Sequence, residues 1–208
     1  MKKGGVTVDT SFIYEKETQL TVHKTCLFFA GDGFTVYNSS GDHVFRVESY
    51  AISARDHAEI VLMDPFGRCL LTVRRKRPSL HQRWEGFLGE RLDGQKAIFS
   101  VRRSSMIGRS SVTVEVYNST ADEYHIEGSI AQRCCKIFDG AKKPMAEIKR
   151  KVDCTSELVL GKEVFSLFLK PGFDAAFAMA LVLVLDQIKA DDRSDDDSGS
   201  DLDTTGED

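Results

Sequence analysis

Basic residues gathered at the ends of predicted strands carry the clearest chemistry in the chain. Arg74-Arg75-Lys76-Arg77 closes one strand, with His81 and Arg83 shortly behind it; Arg102-Arg103 closes another, with Arg109 in the next turn; Lys142-Lys143 and Lys149-Arg150-Lys151 flank a third. A guanidinium offers a planar fork that binds phosphate oxygens two at a time, and an ammonium adds a compact point charge. Strand ends of a closed sheet can converge on one rim, where four to eight bases would attract anionic lipid at roughly 1 kcal/mol each. On charge density the expected anion ligands are Arg74, Arg75, Lys76 and Arg77, supported by Lys149 and Lys151. Arg150 alternates with the apolar positions of its strand, so it is expected to turn inward, meet a carboxylate and serve the fold. For any single cluster the competing reading is a solvated surface.

Other chemistries find little support. Histidines 23, 43, 57, 81 and 125 are scattered, with no His-x-x-x-His pair and no Gly-x-Ser-x-Gly elbow. Gly31-Asp32-Gly33 lacks the further glycine and the Gly-Lys-Ser of a phosphate loop and reads as a hairpin turn. Cysteines 26, 69, 134, 135 and 154 form an odd set without Cys-x-x-Cys, which points to reduced thiols and neither a disulfide framework nor a metal site. Strand alternation sends Cys134 and Cys135 to opposite faces, and Asp64 and Asp93 read as turn residues. The expectation is a non-enzymatic protein with no cofactor and no metal.

The charge is unevenly placed. The 208 residues hold 28 Lys+Arg and 32 Asp+Glu, a net −4. Residues 191–208 contain nine acids and one base, Arg193, for a net −8, which leaves +4 on the rest. A basic body with an acidic tail follows: a flexible arm over 1–19, one domain over 20–190, and a disordered tail over 191–208. Ser194, Ser198 and Ser200 each have an acid three residues on, a pattern suited to acid-directed kinases. The tail is expected to fold back over the basic rim, so that deleting 191–208 strengthens binding to anionic liposomes; a purely solubilising tail is the alternative. The sequence shows no secretory signal, and cytosol is the expected compartment.

The elements that must position these residues are short strands. From about Phe34 to Leu169, runs near 34–37, 43–48, 60–63, 69–74, 84–88, 97–103, 112–117, 124–130, 134–138, 146–151, 157–160 and 164–169 alternate with turn signals such as Asp64-Pro65-Phe66-Gly67. That spacing predicts about a dozen antiparallel strands in a sandwich or barrel. One segment breaks the rhythm. Ala175 to Leu185 is eleven apolar residues in a row, predicting a helix over about 173–188. A helix apolar on all sides must be enclosed, and at roughly 24 Å it is too short to span a bilayer comfortably. The combination predicts a closed β-barrel filled by its own C-terminal helix.

These features together resemble the plant LURP-one-related family, which shares its fold with tubby proteins and phospholipid scramblases. The resemblance covers residues 20–190. It rests on the run from Thr25 to Tyr37, on Val44-Phe45-Arg46-Val47-Glu48-Ser49-Tyr50, and on Leu70 to Lys76 with Ser79 to Glu85. Ser104-Ser105-Met106-Ile107, Ile126-Glu127-Gly128-Ser129 and the 173–188 helix complete it. Where the family commonly has Phe-Arg-Gly after the tryptophan, this chain has Gly86-Phe87-Leu88-Gly89. The resemblance implies a tubby-like barrel that binds phosphoinositide headgroups and tethers a regulator to membrane in plant signalling or defence. A monomer peripheral to the plasma membrane is expected, and the family context adds a tubby-like route to the nucleus. The alternative is a protein-interaction scaffold without lipid binding; nucleic acid is disfavoured by the charge balance, and lipid scrambling by the enclosure of the one apolar helix.

Overall fold

The structure is a computed structural model that describes residues 6–27, 31–50, 59–76, 83–106, 109–117, 123–151 and 163–197. Twelve strands close into one antiparallel barrel: β1 (Thr18–Leu27), β2 (Gly31–Tyr37), β3 (His43–Tyr50), β4 (Glu59–Met63), β5 (Cys69–Arg75), β6 (Arg83–Leu88), β7 (Phe99–Met106), β8 (Arg109–Val116), β9 (Glu123–Ser129), β10 (Cys134–Asp139), β11 (Pro144–Arg150) and β12 (Val164–Leu169). Each strand pairs with its sequence neighbours, and β1 with β12 closes the ring, Leu20 standing opposite Leu167. Odd-numbered strands end, and even-numbered ones begin, at a single rim, here called the mouth. The opposite rim is the base.

The helix α1 (Ala175–Asp197) enters at the base and runs toward the mouth. Residues 175 to 185 are all at most 2% exposed, and they share one core with inward residues of the strands. Phe99 of β7 meets Phe177 edge-on at 5.2 Å, and Tyr124 of β9 meets the same ring at 5.5 Å. The alternation that makes half of each strand apolar lines a cylinder, and the all-apolar helix fills it. No helix among the described residues is long and apolar enough to cross a membrane. The wall is tight: a Cβ on Gly86 would come within 2.2 Å of the Phe99 ring, so only glycine fits there.

Four details depart from the sequence expectations. First, β1 begins at Thr18, whereas strands were expected only from Phe34. Its inward positions run Leu20, Val22, Lys24, so a lysine breaks the apolar alternation. The expected strand at 157–160 lies outside the described residues. Second, Gly31-Asp32-Gly33 is the start of β2, not a turn, with Gly33 opposite Thr25. A Cβ there would press on Thr25 Oγ1 and the Val47 carbonyl, each at 3.2 Å, so close approach to neighbouring strands is what its glycine serves.

Third, part of the expected flexible arm is docked. Asp174 caps α1 by accepting the Phe177 N–H at 2.9 Å. Its second oxygen accepts the Val8 and Asp9 N–H groups at 2.7 and 3.1 Å. Phe12 packs on Phe45 at 4.7 Å, and Asp9 meets Arg68 at 2.7 Å. Fourth, the helical backbone continues past residue 188 to Asp197, so the first seven residues of the expected disordered tail are helical. Residues 198–208 lie outside the described ones.

Candidate functional site: a cation-lined mouth

Alternation within β5 and β7 splits each basic cluster between two faces. Val73 and Val101 are fully buried, so Arg75 and Arg103, two residues further along, face into the mouth, while Arg74 and Arg102 face outward. Arg83 at the start of β6 stands directly opposite Arg102 on β7. Both reach one carboxylate: Arg83 Nη2 lies 2.8 Å from Glu115 Oε2, and Arg102 Nε 3.4 Å from Glu115 Oε1. Lys76, which extends the β5–β6 hairpin by donating its N–H to the Arg83 carbonyl, pairs with Glu85 at 2.8 Å. Three adjacent strands thus bring Arg74, Arg75, Lys76, Arg83, Arg102 and Arg103 to one arc of the mouth.

The expected ligand set is not brought together. Lys149 and Lys151 sit at the same rim, but β11 is six strands from β5 in either direction round the ring. They belong to the opposite wall. Lys149 pairs with Glu147 at 2.9 Å and lies over the Phe168 ring at 5.4 Å; Lys151 Nζ donates to Thr21 Oγ1 at 2.9 Å. Arg77 lies outside the described residues. Arg150 turns inward opposite the buried Phe165, as alternation predicts, and its Nε donates to the Gln132 carbonyl at 3.0 Å in place of the expected carboxylate.

A second group of charges closes the mouth from within. Asp186 of α1 is 3% exposed and accepts from Lys24 Nζ of β1 at 3.0 Å and from Arg133 Nη2 of the β9–β10 turn. The sequence offered no periodic signal for Arg133, which occupies a turn at φ 53°. The local cue was Asp186 itself, a carboxylate at the end of an apolar run that needed a partner.

The outer face of the lysine wall holds a groove of about 300 Å³. Phe168 lines it with Lys136, Lys149, Lys170, Glu17 and Glu147. The vicinal cysteines divide as expected: Cys134 is exposed and Cys135 buried, and burial pushes the Cys135 thiol up to about 11. Asp64 serves its turn, accepting the Phe66 and Arg68 N–H groups at 2.9 Å. Among the described residues no group of His, Cys, Asp and Glu is arranged to hold a metal ion.

The geometry defines a twelve-stranded barrel, filled by its own helix, whose mouth is lined with cations. A model of the LURP-one-related family matches residues 18–186. The chain is 60% identical over 187 residues to Protein LURP-one-related 12 of Arabidopsis thaliana, covering 90% of this chain and 85% of that one. It is 63% identical over 193 residues to Protein LURP-one-related 5 of the same plant, covering 91% and 92%. An X-ray structure of a further Arabidopsis thaliana protein superposes with a TM-score of 0.66 over 89% of this chain and 99% of that one; at 24% identity this is a likeness of fold. The chain belongs to the LURP-one-related family.

Proposed function

We propose that the chain is a non-enzymatic module that binds phosphorylated headgroups of anionic membranes, phosphoinositides foremost, through the arginine arc of β5 to β7. In this reading it is a membrane-tethered regulator in plant signalling or defence. One observation carries the reading: Arg83 and Arg102 stand directly opposite each other and share Glu115. Like charges directly across a sheet are destabilising, and one carboxylate cannot neutralise two guanidiniums. The arrangement is suited to a further anion, and the guanidinium fork matches a phosphate. Arg74, Arg75, Lys76 and Arg103 enlarge the field at the same place.

The test is co-sedimentation with phosphatidylcholine vesicles, alone, with phosphatidylserine, or with phosphoinositide, over a salt series. Headgroup recognition keeps a preference for phosphoinositide over phosphatidylserine at matched charge, whereas generic attraction fades with the Debye length. Reversing Arg83 and Arg102 to glutamate is expected to abolish binding. Reversing Lys149 and Lys151 is expected to leave most of it.

A second reading, a protein-docking scaffold, is favoured by the groove at Phe168 and by Phe66, which is 96% exposed at the tip of the β4–β5 turn. A closed barrel has no edge strand to extend, so a partner would have to be read through side chains. Retained cellular partners together with absent vesicle binding would select this reading.

A further inference from the structure

The wall across the mouth from the arginine arc holds cations of its own, and these face inward. Arg150 takes the last inward position of β11, directly opposite the buried Phe165 of β12. Its Nε donates to the Gln132 carbonyl at 3.0 Å, and among the described residues no carboxylate pairs with its guanidinium. The two terminal nitrogens of the fork are left over. Arg133, the next residue after Gln132, stacks on the same Phe165 ring at 4.6 Å. One aromatic side chain and one turn therefore hold two guanidiniums side by side at the inner rim.

Arg133 supplies an independent observation. It is 3% exposed, its Nη2 reaches Asp186, and its buried Nε has no hydrogen-bond partner. Leaving a buried donor unpaired is costly. The residue also sits at φ 53°, a left-handed conformation that side-chain-bearing residues rarely adopt. Two turn bonds hold it there: its N–H donates to the Ile130 carbonyl at 3.1 Å, and the Gln132 N–H to Ser129 Oγ at 3.3 Å. Lys24 already shares Asp186, at 3.0 Å. So the fold bears backbone strain and an unpaired donor to bring a second cation to one carboxylate, beside an arginine that has none. Strain retained in this way points to a ligand-binding role.

We propose that the inner wall formed by β10 to β12 is an anion site for phosphate, as inorganic phosphate or a phosphate monoester. The terminal nitrogens of Arg150 engage two phosphate oxygens, with Arg133 behind them. A planar fork and a tetrahedral oxyanion match two bonds at a time. The site does not rest on the headgroup reading, since β11 lies six strands from β5 round the ring.

The test follows the arginine Nε–H resonances of the full chain by NMR during titration with sodium phosphate. Those of Arg133 and Arg150 are expected to shift saturably with phosphate and to stay in place with sodium chloride or acetate at matched ionic strength. R150Q is expected to weaken the phosphate response at Arg133 roughly tenfold, and R150K, which keeps the charge and loses the fork, by nearly as much. K96Q, which removes an exposed charge in the loop between β6 and β7, is expected to leave it unchanged. If R150Q folds poorly, R150K and the wild-type titration still decide.

No saturable shift in the wild type, an equal shift with acetate, or full phosphate affinity in R150K would overturn the proposal. Vesicles of phosphatidylcholine with phosphoinositide tell the sources apart. Vesicle binding lost in R150Q assigns the site to a lipid headgroup, and vesicle binding kept assigns it to a soluble phosphate compound. If no vesicle binds the wild type, the headgroup reading falls, while the response to inorganic phosphate still decides this site.

Discussion

Arg133 and Asp186 form a buried ion pair between a turn at the mouth and the end of the apolar run, each only 3% exposed. Lys24 completes it from β1, and the Arg133 guanidinium lies 4.6 Å over the Phe165 ring. Hydrophobic packing is indifferent to small slides of a smooth apolar helix along its sheath. Three charges contributed by a strand, a turn and the helix are not, because each needs its partners within hydrogen-bond reach.

Removing the shared carboxylate should therefore cost more than removing a typical surface charge. Asp186→Ala leaves Arg133 and Lys24 buried without it and is expected to destabilise the fold by about 3–5 kcal/mol, read as a shift in the urea midpoint. Replacing all three together, Asp186→Leu with Arg133→Met and Lys24→Met, is expected to recover most of that loss. No recovery would mean that the cluster's worth lies in something other than charge balance.

Gly86→Ala should overpack the wall against Phe99. An expected cost of about 1–3 kcal/mol follows from forcing an extra methyl into a filled core. The second-site change Phe99→Leu should restore part of it in thermal melts, since the ring is what the new methyl would meet.

Acid should undock the N-terminal segment. Ser11, through its hydroxyl and N–H, and then Arg68, hold the Asp9 carboxyl down at about 2, and Arg68 and the turn N–H groups lower Asp64 against the opposing effect of burial. A lowered folded value contributes stability that is present above the ordinary carboxylate range near 4 and is lost as pH falls through the folded value. For Asp9 the loss falls between about pH 4 and pH 2 and is on the order of 1 kcal/mol after solvent screening. Burial raises Asp174, so its sign is opposite: that contribution is present below the ordinary value and lost as pH rises through the raised one. Urea titrations from pH 5 to pH 2 should show a shallower acid slope in Asp9→Asn than in wild type. Equal slopes would remove Asp9 from the account.

The two adjacent cysteines should differ in reactivity. A small alkylating reagent near pH 8 is expected to label Cys134 in the native protein and Cys135 only after unfolding, because the thiolate is the nucleophile and burial suppresses it. Peptide mapping by mass spectrometry reads the outcome directly.

The barrel was legible because inward and outward residues alternate wherever the wall is apolar, and the helix because no strand would run eleven apolar residues from Ala175 to Leu185. β1 escaped because its third inward residue, Lys24, serves Asp186. The arginine arc was half legible. Clusters at strand ends are visible in one dimension, but the ring order that groups β5, β6 and β7 and sends β11 to the far wall is set by closure. The alternation that turned Arg150 inward applies equally to Arg75 and Arg103. Arg133 was invisible, since a lone arginine in a turn carries no period.

The central helix is the last part of the barrel domain to be synthesised, and it is the piece around which all twelve strands close. During translation the sheet must wait, its apolar lining exposed, until that final plug arrives. Chains cut short before it would offer a long greasy surface to chaperones and proteases, so premature stops ahead of Ala175, late as they fall in the chain, should behave as complete losses of protein.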